Sequence, residues 1–112
     1  MIRVRTFRSE RNELIGFRSN GHADFDESGK DIICAAVSVL ELNLANSVSE
    51  LTDARFSCEV NEENGDFSFR LADTENEKAV LLLTSCMLGL RAVSEVEHED
   101  DGHAIAWAMS QK

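Results

Sequence analysis

Residues 32–51 read IICAAVSVLELNLANSVSEL, and their spacing decides the fold. Apolar residues recur at Ile33, Val37, Leu40, Leu44, Val48 and Leu51, three or four positions apart. That is one face of an amphipathic helix of four to five turns. Asp31 stands immediately before it and is placed as its N-cap. Upstream the period is two. Ile2 to Phe7 alternates apolar residues with arginines, as a half-buried strand does. Ser9 to Glu13 supplies a polar turn, and Leu14 to Phe17 reads as the returning strand, running on toward Ser19-Asn20-Gly21.

Downstream the same order returns. Arg55 to Val60 and Phe67 to Leu71 are strand-like, joined by a polar stretch with the turn-forming pair Asn64-Gly65. Asp73-Thr74-Glu75 opens a second helix, expected from about Asn76 to about Val96. Its stripe holds Ala79, Leu83, Met87, Leu90 and Val93, while Val80, Leu81, Leu82 and Leu88 spread beyond one face. Apolar surface of that kind must meet the sheet on a second side or another subunit. The alternation Ile105, Trp107, Met109 suggests a short closing strand. The order ββαββα, with a possible last strand, predicts an α+β fold: two ββα halves forming a small sheet with two long helices.

At 112 residues the chain is expected to be a single domain, residues 1–112, able to bury a core without metal or disulfide. Hydrophobic residues make up 43% and charged residues 29%, ordinary for a globular protein, and there is no proline to mark a linker. No apolar run is long enough to span a bilayer, and the arginine-alternating N-terminus is not a signal peptide. A cytosolic location and no membrane partner are the expectation. The three cysteines, Cys34, Cys58 and Cys86, are odd in number and lack CxxC spacing, which argues against a disulfide framework or structural zinc.

The formal net charge is −10, unevenly spread. Residues 1–20 carry five arginines against Glu10 and Glu13, and the remainder is strongly acidic. Such a surface disfavours direct nucleic-acid binding and attracts basic proteins or peptides.

Among candidate sites, Asp24, Asp26, Ser28 and Gly29 match loop positions 1, 3, 5 and 6 of an EF-hand, but the position that needs a bidentate glutamate is Ala35. Zinc would need more ligands than His22 and Cys34, since His98 and His103 lie far along the chain. Cys58 and Cys86 fall on apolar faces and read as small hydrophobes. Cys34 differs. With Asp31 as N-cap it would be the third helical residue, where open N–H groups and the helix dipole favour an anion. His22, in the turn Asn20-Gly21-His22-Ala23, follows a strand pointing toward that helix start. A strand end and a helix start presenting His and Cys make a nucleophile-and-base arrangement. On these residues alone, catalysis and a buried structural cysteine both remain open.

The paired motif Gly21-His22-Ala23 and Asp31-Ile32-Ile33-Cys34-Ala35-Ala36-Val37-Ser38, separated by a polar glycine-containing loop, resembles the ribosomal-processing cysteine protease family, Prp. Asn43 and Asn46 echo polar positions of that family's first helix. The resemblance covers nearly the whole chain. It implies a small homodimeric endopeptidase of the bacterial cytosol that removes an N-terminal extension from a large-subunit ribosomal protein. His22 and Cys34 take the catalytic positions, Gly21, Asp31 and Ser38 the supporting ones, and Asp24 to Lys30 the loop over the site. No cofactor or metal is implied. The contrasting expectation is a non-enzymatic ribosome-associated interaction domain, which would tolerate loss of Cys34.

Overall fold

A computed structural model describes residues 2–20, 30–61, 63, 65–93 and 96–98 of the chain. The elements are β1 (Ile2–Arg8), β2 (Leu14–Asn20), α1 (Lys30–Leu51), β3 (Phe56–Asn61), β4 (Asp66–Leu71), α2 (Glu77–Val93) and β5 (Val96–His98). The expected ββαββα order is present. The sheet runs β3-β4-β2-β1-β5, so the two hairpins join through β2 and β4. β1 to β4 pair antiparallel, and β5 adds in parallel to the free side of β1, with Val96 opposite Ile2 and His98 opposite Val4. The closing strand expected at Ile105 to Met109 lies outside the described residues.

Local chemistry sets each connection. In the first turn Ser9 Oγ accepts the N–H groups of Arg11 and Glu13, both at 3.2 Å. Asn12 there takes the left-handed conformation, φ 66°, which asparagine tolerates better than most residues. In the second hairpin Gly65 takes it, φ 75°. Asn76 caps α2: its Oδ1 accepts the Ala79 N–H at 3.0 Å, so the helix starts where the sequence suggests. It ends at Val93, short of the expected Val96, because Val96 has joined the sheet.

Paired strand residues share a face, and one face carries the core. Val4, Phe17, Phe67, Phe69 and Leu71 meet Val37, Leu44 and Val48 of α1 and Ala79, Leu83, Met87 and Leu90 of α2 in one buried cluster. The Phe17 and Phe67 rings lie 5.7 Å apart, and those of Phe56 and Phe69 5.1 Å. Burying each such side chain stabilises the fold by about 1.5–3 kcal/mol. The helices cross closely where Gly89 of α2 faces Leu40 of α1; a Cβ on Gly89 would lie 2.9 Å from a Leu40 methyl. The other sheet face is polar, with Arg70 stacked over the Phe7 ring at 5.0 Å and Arg18 paired to Asp66 at 3.0 Å.

The inward stripe of α1 differs from the expected one in two respects. Leu51 is 66% exposed, and the residues facing the sheet are Val37, Glu41, Leu44 and Val48. A carboxylic acid occupies a core position. The extra apolar surface of α2 divides: Val80 and Leu82 pack against the core, while Leu81 is 68% exposed.

Candidate active site

β2 ends at Asn20, two residues before His22, and α1 begins at Lys30, so the two elements flanking the paired motif are adjacent in sequence and share one core. Gly21, His22 and residues 23–29 lie outside the described residues. On α1, Asp31, Cys34 and Ser38 follow at i, i+3 and i+7, the spacing that puts three residues along one side of a helix. Cys34 is a free, half-buried thiol and Ser38 is exposed.

The helix start corrects one expectation. α1 is already helical at Lys30, so Asp31 lies in its first turn and is not its N-cap. Lysine is a good helix former, and an acid one position later still complements the helix dipole. Cys34 is then the fifth helical residue, past the four open N–H groups of a helix start.

The other two thiols have a different character. Cys86 is buried between the helices, where its Sγ donates to the Leu40 carbonyl at 3.6 Å. Burial, with a smaller contribution from the Glu41 carboxylate, pushes its pKa up to about 12. Cys58, half-buried on β3, is also raised, first by burial and then by Glu41 and Glu59. Neither presents a thiolate near neutral pH, and both act as the small core hydrophobes the sequence suggests. Among the described residues no three His, Cys, Asp or Glu side chains come together as a metal site.

Sequence reasoning missed Glu41. It is only 5% exposed, and Ser19 of β2, itself 2% exposed, donates its hydroxyl to Glu41 Oε2. Burial raises the Glu41 pKa from 4.5 to about 7, against a smaller lowering by that bond. Val37, Glu41, Leu44 and Val48 stand at i, i+4, i+7 and i+11, but so do Ile33, Val37, Leu40 and Leu44, so spacing alone does not single Glu41 out.

Comparison with known proteins adds the chemistry. The sequence model of a family described as cysteine protease Prp matches residues 1–100. The ribosomal processing cysteine protease Prp of Staphylococcus aureus strain Mu50 is 30% identical over 100 residues, which cover 89% of this chain and 94% of that protein. The protein of the same name from Bacillus subtilis strain 168 is 28% identical over 105 residues, covering 90% and 93%. Two solved structures of the S. aureus ribosomal processing protease Prp are similar over 88% of this chain and 100% of theirs. The complex with a covalently linked product peptide has a TM-score of 0.75 at 26% identity. The complex with a substrate peptide has a TM-score of 0.77 at 25% identity. Sequence and fold thus agree along the same nine-tenths of the chain, and the class of chemistry comes with them: this is a cysteine protease, and the chain belongs to the cysteine protease Prp family.

Proposed function

We propose that Cys34 is the nucleophile, and His22 the general base and acid, of an endopeptidase that removes an N-terminal extension from a large-subunit ribosomal protein. The observation that carries this reading is the sorting of the three cysteines. A cysteine protease needs an accessible sulfur that can lose its proton, and burial holds Cys58 and Cys86 protonated. Cys34 is the half-buried thiol left, early on the helix that follows the His22 turn.

In the first step His22 takes the thiol proton as the Cys34 sulfur attacks the peptide carbonyl carbon. The tetrahedral intermediate collapses, His22 protonates the departing amine, and the C–N bond breaks to leave a thioester on Cys34. Water then attacks the thioester, giving its proton to His22, and the acid product leaves as the thiol is restored. Asp31, one turn before Cys34, orients the His22 ring, while Ser38 offers a hydroxyl one turn after Cys34. Gly21 leaves room for substrate backbone beside His22.

The ribosomal substrate is supported by the names of the S. aureus and B. subtilis relatives, and by the net charge of −10, which suits a basic protein. The enzyme works in the cytosol as a homodimer, with Val39 and Leu42 of α1 and Leu81 of α2 offering exposed apolar surface for the second copy. The test is incubation of the purified protein with its own organism's extended ribosomal protein, the products being weighed by mass spectrometry. Wild type shortens the substrate at one bond, and Cys34→Ser and His22→Ala lower the rate by at least about 10³-fold. Full cleavage by Cys34→Ser would falsify the mechanism.

A further inference from the structure

The buried Ser19–Glu41 hydrogen bond joins the strand that leads to His22 to the helix that carries Cys34. Its surroundings make it unusual. Ser19 pairs with Val4 on one side and Phe67 on the other, and Glu41 lies between Val37 and Leu44 on its helix face. Every one of those four neighbours is a buried apolar residue. An apolar pair would serve stability at least as well, because a matched hydrophobic replacement of two hydrogen-bonded groups is often neutral or stabilising. What a hydrogen bond adds is direction: it holds two elements at one relative placement, where apolar contact tolerates sliding.

We infer that Ser19 and Glu41 are positioning residues, a clamp that fixes the end of β2 on α1 and thereby sets where His22 meets Cys34. The inference rests on the reading of Cys34 and His22 as the catalytic pair. The lengths agree with it. Glu41 follows Cys34 by seven residues, two turns, or ~10.5 Å of helix rise. Ser19 precedes His22 by three residues, which reach at most ~11 Å when extended. The three residues from Ser19 to His22 are therefore long enough to span the helix rise from Glu41 to Cys34. Only Asn20 and Gly21 stand between Ser19 and His22, so a shift of the β2 end passes to the imidazole with little chain to absorb it. A misplacement of about 1 Å at a reacting pair can cost about 10²-fold in rate.

The test uses the full-length protein and a peptide spanning the junction that wild type cleaves. The double variant Ser19→Ala/Glu41→Leu replaces the clamp by an apolar contact. Its melting temperature should equal or exceed that of wild type, while kcat falls about 10–100-fold and KM stays within about threefold. Glu41→Gln, which keeps a hydrogen-bonding partner for Ser19, should hold kcat within about threefold of wild type. A second readout does not need turnover. Alkylation of Cys34 by iodoacetamide should be slowed by His22→Ala in the wild-type background and hardly at all in the double variant, whose imidazole is already displaced. If the double variant melts low, the rates are read well below its transition, and a second apolar pair, Ser19→Ala/Glu41→Met, supplies the same comparison. Unchanged kcat together with an undiminished His22 effect on alkylation in the clamp variants would overturn the inference. Cys34→Ser, assayed in parallel, separates the two failures. Residual cleavage there sinks the catalytic reading itself, whereas a dead Cys34→Ser beside fully active clamp variants sinks only the clamp.

Discussion

A thiol reacts according to what surrounds it, and the three cysteines of this chain occupy three different surroundings. Native protein treated briefly with iodoacetamide near pH 8 and mapped by mass spectrometry should carry the label on Cys34. Cys86, with a pKa near 12 and its sulfur against the Leu40 carbonyl, should react only after denaturation. Cys58 should be slow, since burial and two carboxylates oppose its ionisation. Label on Cys86 at the rate of Cys34 would contradict the assignment. Part of this could be read from the residues: the apolar neighbours of Cys58 and Cys86 identify them as core, whereas Cys34 was expected third in its helix and the helix instead begins four residues before it, at Lys30. Glu41 could not be read in the same way. A rule that assigns charged residues to solvent fails where one hydroxyl, brought from β2 by the tertiary fold, satisfies a carboxyl group in the core.

Among the elements, β2 shows why pattern reading succeeds on type and misses on detail. Its place after the polar turn identifies it as the returning strand, yet Leu14 and Phe17, three residues apart, both belong to the core. The reason is a bulge: Phe7 pairs with Gly16 but Arg8 with Leu14, which leaves Ile15 as the extra residue. Gly16 beside it is required, because a Cβ there would lie 2.1 Å from the Phe69 carbonyl oxygen and 2.8 Å from the Arg70 Cα. Both are backbone atoms of the paired strand β4 and cannot rotate away. Gly16→Ala should destabilise the protein by about 2–4 kcal/mol, measured by urea denaturation. A loss below about 0.5 kcal/mol would mean that the two strands can part there without cost. β5 was hidden for another reason. Val96-Glu97-His98 is three residues long in an acidic stretch, and only pairing with β1 from the far end of the chain makes it a strand.

The whole molecule carries the consequence of a carboxyl group placed in its core. Folding raises the Glu41 pKa from 4.5 to about 7, so between those values the folded state holds a proton that the unfolded chain has released. Stability from this group is therefore fully present below pH 4.5 and is withdrawn as the pH rises through 7, after which it changes no further. The difference corresponds to about 3 kcal/mol, a substantial share of the roughly 5–15 kcal/mol that holds a domain of this kind together. The net charge of −10 acts in the same direction, since self-repulsion among surface acids grows as they ionise. Substitution separates the two contributions. Glu41→Gln keeps the size of the side chain and a partner for Ser19 but removes the titration, while the surface acids remain. Denaturation of wild type and variant should give similar stabilities near pH 5. At pH 8 the Gln variant should be the more stable, by up to about 3 kcal/mol. A constant difference across that range would show that Glu41 does not change its protonation there, and that the surface alone sets the pH dependence.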